Sequence, residues 1–317
     1  MKKIIAILLL YCIASDAVAQ QDKNQIFEHI AILQGDTISF PITLVDAFPF
    51  ISVTVNGIKG KFMFDTGLKS AIEINDNAVK LPASKKTGTG NVGSGQSFIM
   101  NTNDTITEVR FPNDLTYRNL LNIKSANFDF LQNNITTDCI GYIGHDFYAG
   151  YIFKLDYLKR KITFYKNTEL RKSSKDFLRG EKVLGILNFE TRRLPNHPLV
   201  HVKIGDVELL GSFDTGQYGM LQLENNAKKI LTTNGLLTDI GPDGHNDQQV
   251  NVNGIEINGI FRTTLKGVYP VTMEETTPFR NAIRITESNY ICFGFRFLDQ
   301  YKTVWDYNDN KIYILEK

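Results

Sequence analysis

Short stretches of alternating apolar and polar residues run through the chain, and Gly, Asn and Asp separate them. Residues 49–57 and 198–206 each alternate and then reach a tight-turn pair, Asn56-Gly57 and Gly205-Asp206, which predicts two β-hairpins. No long segment keeps a helical period. The pattern therefore predicts an all-β protein with short helices, and we expect two of these helices near residues 149–153 and 225–231.

The two hairpins belong to an internal repeat. Each second strand ends in the same tetrapeptide, Phe64-Asp65-Thr66-Gly67 in one copy and Phe213-Asp214-Thr215-Gly216 in the other, at an offset of 149 positions. Further along, Tyr142-Ile143-Gly144 aligns with Cys292-Phe293-Gly294. Because the register is held over this length, we interpret the chain as a duplication.

A duplication of this kind predicts two β-barrel-like lobes related by a pseudo-twofold axis. We assign residues 20–166 to the N-terminal lobe and residues 183–317 to the C-terminal lobe, so that each lobe carries one Asp-Thr-Gly motif. Residues 167–182 form a polar and charged run, which we interpret as the linker between the lobes.

The N-terminus has the features of an export signal. Lys2 and Lys3 precede the apolar run 4–13, and Ala17-Val18-Ala19 offers a small-x-small cleavage pattern. Residues 1–19 are therefore predicted to be a signal peptide, and the protein is expected to be exported to the periplasm or the extracellular space. The apolar run is too short to span a bilayer, so no stable membrane span is expected after cleavage.

The net charge bears on whether the protein binds nucleic acid, and the cysteine content bears on whether it forms a disulfide. Removal of residues 1–19 lowers Lys plus Arg from 35 to 33 and Asp plus Glu from 34 to 33, which leaves no net charge to collect phosphates. Nucleic acid is therefore not expected as a partner. Cys139 and Cys292 remain and could pair in an oxidising compartment, but we expect two buried free thiols because a chain of this length has a core without cross-links.

The repeated motif carries the candidate chemistry. A single Asp-Thr-Gly is a common turn sequence, whereas pseudo-twofold packing of two copies would bring Asp65 and Asp214 together at the seam between the lobes. Two adjacent carboxyls do not both ionise readily, so one keeps a proton while the other is charged. Such a pair could activate a water and protonate a leaving amide nitrogen. This chemistry requires neither a metal nor a cofactor.

The doubled Phe-Asp-Thr-Gly motif and the two apolar-apolar-Gly segments resemble the retropepsin and pepsin superfamily of aspartic peptidases. The most similar members are bacterial retropepsin-like peptidases, here with both lobes on one chain, and the resemblance spans residues 40–317. It implies an aspartic endopeptidase that hydrolyses peptide or protein substrates. Asp65 and Asp214 would be the catalytic residues, and their shared proton is the established property of that superfamily.

The resemblance also implies roles for the rest of each motif. Thr66 and Thr215 would exchange hydrogen bonds across the seam, and Gly144 and Gly294 would lie beside the catalytic loops. The residues implied to support these loops are Thr66, Gly67, Thr215 and Gly216.

A glycine-rich segment supplies the candidate flap, and it departs from the pepsin pattern because no Tyr or Trp lies between residues 71 and 116. The candidate flap residues are Gly88, Gly90, Gly93 and Gly95. The same run matches Gly-x-Gly-x-x-Gly, but no apolar strand precedes it and no helix pattern follows it, so a dinucleotide site is not predicted. An ordinary flexible loop remains the alternative to a flap.

Two other interpretations stay open. Leu68 and Gln217 follow the motifs where the superfamily usually has Ala, Ser or Thr, which allows a catalytically inactive peptide- or ligand-binding protein on the same scaffold. A structural cell-envelope module is the third interpretation. The retention of both aspartates favours the enzyme, because a binding protein has no reason to keep two like charges close together. His197 and His201 are expected to face solvent rather than to bind a metal.

Overall fold

The computed structural model describes residues 10–11, 33–82, 84–92, 97–103 and 106–317. Over these residues the protein is all-β with short helices, arranged as two β-barrel-like lobes related by a pseudo-twofold axis, as predicted. In the same ranges no helix is both long and apolar enough to cross a membrane.

The predicted signal peptide, residues 1–19, lies outside the described residues except for Leu10–Tyr11.

The elements of the N-terminal half are β1 (Leu10–Tyr11), β2 (Thr37–Pro41), β3 (Thr43–Val45), β4 (Phe48–Val55), β5 (Ile58–Phe64), β6 (Ile72–Asn75), β7 (Lys85–Val92), β8 (Ser97–Asn103), β9 (Ile106–Arg110), β10 (Thr116–Leu120), β11 (Ile123–Ala126), α1 (Asp129–Asn134), β12 (Cys139–Ile143), a 3-10 turn (His145–Tyr148), β13 (Tyr151–Asp156) and β14 (Lys161–Lys166).

The C-terminal half repeats this arrangement after a short helical connection. Its elements are α2 (Glu169–Ser174), a 3-10 turn (Asp176–Leu178), β15 (Val183–Asn188), β16 (Leu199–Ile204), β17 (Val207–Phe213), β18 (Met220–Gln222), α3 (Asn225–Thr233), β19 (Leu237–Pro242), β20 (Gln248–Ile257), β21 (Phe261–Val271), α4 (Met273–Ile283), β22 (Tyr290–Phe293), α5 (Phe295–Leu298), β23 (Lys302–Asp306) and β24 (Lys311–Leu315).

Each lobe has its own sheet. The strand order is β1-β7-β8-β11-β6-β12-β5-β4-β9-β10 in the N-terminal lobe, with β3 on β4, and β16-β17-β22-β18-β21-β20-β19 in the C-terminal lobe. In the second lobe β16 also pairs with β20, which closes the barrel. The strand that ends at the motif runs parallel to the apolar-apolar-Gly strand in both lobes, β5 with β12 and β17 with β22. This pairing places both repeated segments of a lobe at one end of its sheet.

A third sheet joins the two halves, with the order β15-β24-β23-β13-β14-β2. At its centre β13 pairs antiparallel with β23, and Lys154 lies opposite Val304. These two residues hold equivalent positions in the repeat, 150 apart in the sequence. The pseudo-twofold axis therefore passes through this pair of strands.

Strand periodicity determines which side chains reach the site. Along β5, Phe62 and Phe64 belong to the main core, which extends through both lobes, whereas Met63 belongs to a separate cluster in the N-terminal lobe. Because side chains alternate along a strand, Asp65 leaves the sheet on the Met63 face. The aspartate is thus directed away from the main core and toward the seam.

One of the two predicted helices is wrong. α3 covers the helix expected at residues 225–231, but at residues 149–153 the structure has a two-residue turn, 149–150, followed by β13. Tyr151, Ile152 and Phe153 are all buried because β13 has a strand on each side and packed residues on both faces. A short apolar run of this kind does not distinguish a helix from a doubly buried strand.

The predicted linker, residues 167–182, is packed against the protein. It contains α2 and the following 3-10 turn, and its Arg171 is only 7% exposed. The guanidinium forms ion pairs with Asp36 at 2.7 Å and Asp176 at 2.9 Å, and it stacks over Tyr165 at 5.4 Å. Arg171 therefore anchors this charged segment to the rest of the protein.

Candidate active site

The two Asp-Thr-Gly loops have the same internal hydrogen bonds. The amide of Asp65 donates to the carbonyl of Ile143 at 2.9 Å, and the amide of Asp214 donates to that of Phe293 at 3.2 Å. Within each loop the glycine amide donates to Oδ1 of the aspartate two residues earlier, at 2.8 Å in both lobes. These bonds hold one oxygen of each carboxyl in place and fix its orientation.

The threonines connect the loops across the seam. The amide of Thr66 donates to Oγ1 of Thr215, and the amide of Thr215 donates to Oγ1 of Thr66, both at 3.0 Å. The Thr215 hydroxyl in turn donates to the carbonyl of Phe64 at 2.8 Å. The predicted exchange of hydrogen bonds is therefore confirmed, and it locks the relative position of the two loops.

The glycines of the motif allow the two aspartates to approach. A Cβ atom placed on Gly67 would lie 2.6 Å from Oδ2 of Asp214, and one on Gly216 would lie 2.7 Å from Oδ1 of Asp65. Neither distance is possible for a real side chain, so only glycine fits at these two positions. The two carboxyls are therefore close enough that each changes the pKa of the other.

Burial and proximity change the acidity of both carboxyls. Asp65 is fully buried and Asp214 is 1% exposed. Burial raises the pKa of Asp65 to about 6. Burial, followed by the charge of Asp65, raises the pKa of Asp214 well above its ordinary value. Oδ2 of each carboxyl is buried and makes no hydrogen bond of normal geometry with another described group.

The apolar-apolar-Gly segments lie directly against the loops, as the resemblance implied. A Cβ on Gly144 would be 2.4 Å from the carbonyl oxygens of Leu68 and Ser70, and a Cβ on Gly294 would be 2.1 Å from that of Gln217. Both glycines therefore lie at contact distance from the backbone of the Asp-Thr-Gly loops. The amide after each glycine, of His145 and of Phe295, donates 2.8 Å bonds to the same carbonyls of residues 68 and 217.

The glycine-rich segment forms a hairpin of β7 and β8. Gly88 and Gly90 lie in β7, whereas Gly93 and Gly95 lie outside the described residues. Gly90 is opposite Phe98, whose ring occupies the space that a Cβ would need, at 2.4 Å. The Phe98 ring packs on Phe128 at 5.0 Å, so the hairpin covers the apolar cluster beside Asp65. β1 also pairs with the end of β7.

Two neighbours of the loops were not predicted from the sequence. Nδ2 of Asn196 donates to the carbonyls of Thr66 at 3.1 Å and Gly67 at 2.7 Å, across the seam. His197 was expected to face solvent, and this is wrong, because it is 2% exposed and lies beside the Gly67 backbone. The repeat offered a signal, since the position equivalent to His197 is the apolar Phe48. His201 is exposed, as expected.

The cysteines are also as expected. Cys139 and Cys292 are both buried and neither forms a disulfide. Burial raises the pKa of the Cys139 thiol to about 12 and raises that of Cys292 still further, so both remain protonated.

No protein-family model matches this sequence, and a search of curated proteins likewise gave no match. The geometry of the site and the chemistry of its residues are therefore the basis for assigning a function.

Proposed function

We propose that this chain is an exported aspartic endopeptidase of the retropepsin-like kind, which hydrolyses peptide bonds in peptide or protein substrates. A water held between Asp65 and Asp214 is the nucleophile. The observation that carries the proposal is the pair of buried carboxyls at the seam, each oriented by a glycine amide and each beside the glycine of the other loop, with the two loops joined by reciprocal threonine bonds.

The difference between the two carboxyls assigns their roles. The charge of Asp65 adds to burial in raising the pKa of Asp214, so in this mechanism Asp214 keeps the proton and donates a hydrogen bond to the substrate carbonyl. Asp65 is charged above a pH of about 6 and removes a proton from the water as the water attacks the carbonyl carbon. The amide nitrogen then receives a proton from the dyad as the C–N bond breaks.

This mechanism predicts a bell-shaped pH profile. The acid limb is set by protonation of Asp65, and the alkaline limb by loss of the Asp214 proton. The β7–β8 hairpin, with Gly88 and Gly90 in its first strand, would close over the bound peptide as the flap and exclude water from the dyad.

Two isosteric variants test the proposal. Asp65→Asn and Asp214→Asn keep the shape of the side chain but cannot transfer the proton, so each should lower cleavage of a broad peptide library by about a thousandfold or more. Asp206→Asn, in the exposed turn between β16 and β17, serves as the matched control and should cleave like the wild type.

The outcomes separate the enzyme from a binding protein. If neither the wild type nor either dyad variant cleaves peptides, but all three bind a peptide, the inactive-scaffold alternative is correct. If cleavage by the purified protein persists in both single variants, with contaminating peptidases excluded, another group performs the reaction.

A further inference from the structure

The repeat allows the two sides of the dyad to be compared position by position. On the side of Asp65 the positions around the loop are apolar or aromatic, whereas the equivalent positions around Asp214 carry polar groups. Four pairs of equivalent residues differ in this way: Phe48 and His197, Met63 and Ser212, Leu68 and Gln217, and Tyr142 and Cys292. We name the first members the lobe-1 wall and the second members the lobe-2 wall.

The lobe-1 wall is part of one apolar cluster. All four of its residues are at most 5% exposed and belong to the same cluster. Phe98 and Met100 of β8 join this cluster from the hairpin. The side of the site that adjoins Asp65 therefore consists of hydrocarbon and aromatic rings, and the buried hydroxyl of Tyr142 is its one side-chain polar group among the four.

Two residues of the lobe-2 wall, Ser212 and Cys292, have hydrogen-bond partners within the protein. Ser212 lies on the Asp214 face of β17 and is opposite Cys292 in the register of β22. Its hydroxyl hydrogen-bonds the Tyr290 hydroxyl and donates to Sγ of Cys292 at 3.6 Å. These groups satisfy one another and need no external partner.

The other two residues of the lobe-2 wall, Gln217 and His197, have buried nitrogen atoms without a hydrogen bond of normal geometry among the described residues. Gln217 is 2% exposed, and its Nε2 makes no hydrogen bond to another described group. His197 is equally buried, and its ring lies beside the Gly67 backbone, but neither ring nitrogen makes a hydrogen bond of normal geometry within the described part of the chain. Burying such groups without partners is unfavourable, and the fold does not require them, since Leu68 and Phe48 fill the same positions in the other lobe. The two side chains are therefore suited to a partner from outside the chain.

We propose that the lobe-2 wall binds a neutral polar side chain of the substrate next to the cleaved bond, and that the lobe-1 wall binds an apolar side chain on the other side of that bond. This inference rests on the proposed peptidase function and specifies its substrates. The preferred polar side chain is a carboxamide or a hydroxyl, as in Asn, Gln, Ser or Thr.

The chemistry of the two unsatisfied residues selects this class of side chain. Nε2 of Gln217 is a donor and needs an acceptor, which neither an ammonium group nor a hydrocarbon supplies. A substrate carboxylate would add a second negative charge beside the dyad, which already carries one on Asp65. Burial lowers the pKa of His197 to about 3, so its ring is neutral, offers one donor and one acceptor, and supplies no charge to balance a carboxylate. A carboxamide or hydroxyl matches both residues.

The test uses binding, so that it does not depend on turnover. Non-cleavable pseudopeptides with a hydroxyethylene unit in place of the scissile amide would carry Phe and Asn, Asn and Phe, Phe and Phe, or Asn and Asn on its two sides. We expect one of the two mixed orders to bind wild type roughly 10- to 100-fold more tightly than the Phe and Phe compound, because the latter leaves the buried polar groups unpaired.

A double variant should remove this preference. His197→Phe with Gln217→Leu gives lobe 2 the residues of lobe 1, and it should bind the Phe and Phe compound most tightly. Gln217→Leu alone provides a milder variant if the double variant does not fold, and it should lower the preference for the mixed compound at least severalfold. Asp206→Asn is the surface control and should keep the wild-type ranking.

Cleavage and binding together distinguish the two proposals. If wild type cleaves peptides but binds the Phe and Phe compound as tightly as either mixed compound, the inference about the walls is overturned and the peptidase proposal stands. If the mixed compound is preferred but no peptide is cleaved, the walls are supported and the peptidase proposal fails. If no pseudopeptide binds, the inference is overturned.

Discussion

Asp65 and Asp214 are two buried carboxyls placed close together, and this arrangement has an electrostatic cost for the folded state. Each lies in a fully enclosed position, and each raises the free energy of the other when both are charged. The glycine amides that donate to Oδ1 of each carboxyl reduce this cost but do not remove it, because the pKa of both groups stays raised. The same features that suit the pair to proton transfer therefore destabilise the folded protein at neutral pH.

This cost should appear as a pH dependence of stability. The pKa of Asp65 is about 6 in the folded protein, against about 4 in an unfolded chain, so the folded state binds more protons between these values. The free energy of unfolding of the wild type should therefore fall as the pH rises from about 4 to 6. Asp65→Asn lacks this titration, and its stability relative to wild type should rise by roughly 3 kcal/mol between pH 4 and pH 7.

Urea unfolding at several pH values measures this difference. Asp206→Asn should remain parallel to the wild type throughout. A stability difference between Asp65→Asn and wild type that does not change with pH would mean that the dyad carries no excess proton in this range.

Asn196 supplies a second prediction at the residue scale. Its side-chain amide is bonded to the carbonyls of Thr66 and Gly67 across the seam, whereas the equivalent residue in the first copy is Ala47. Asn196→Ala leaves both buried carbonyls without this donor, so we expect a loss of about 1–3 kcal/mol in the free energy of unfolding. Urea denaturation checks the value, with the exposed Asn225→Ala as the control. Equal stability of the two variants would show that the contact is energetically neutral.

Single elements of the fold were predictable where the signal was local. The hairpins β4–β5 and β16–β17 follow from alternation and a two-residue turn, and both are present. The helix expected at residues 149–153 was wrong, because partners from β14 and β23 decide that this segment is a strand, and those partners are distant in sequence. His197 was misjudged for the same reason, since the Gly67 loop that buries it comes from the other lobe.

The contact between each apolar-apolar-Gly segment and its Asp-Thr-Gly loop gives a prediction at the element scale. In Gly294→Ala the new Cβ would overlap the Gln217 carbonyl, which is backbone and cannot turn away. The loop or β22 must shift, at a cost of about 3 kcal/mol in the free energy of unfolding. Thermal and urea unfolding would measure this cost. Gly244→Ala is the control, since nothing lies within 4 Å of a Cβ at Gly244, and similar losses in both variants would refute the steric argument.

On the scale of the whole molecule, the duplication predicted two lobes but did not predict how they are joined. The six-stranded sheet takes three strands from each half, which meet where β13 pairs with β23, and the main core continues from one lobe into the other. Pairing between β13 and β23 links residues 150 positions apart, and no local pattern in the sequence specifies such a partner. The lobes consequently share buried surface in addition to the threonine bonds at the dyad.

Shared packing of this kind predicts that the lobes unfold together. Trp305, the single tryptophan of the chain, lies in β23 and is fully buried. Its ring stacks on Phe153 of the N-terminal half at 5.3 Å and contacts Phe213 of the C-terminal half at 5.9 Å. Tryptophan fluorescence therefore reports on the junction, and its urea transition should coincide with that of far-UV circular dichroism in a single step. Phe153→Leu, which loosens the stack but keeps the site apolar, should move both transitions to lower urea by the same amount. A tryptophan signal that changes before the circular dichroism would show that the junction opens while each lobe stays folded, and the dyad would then be separable without unfolding either half.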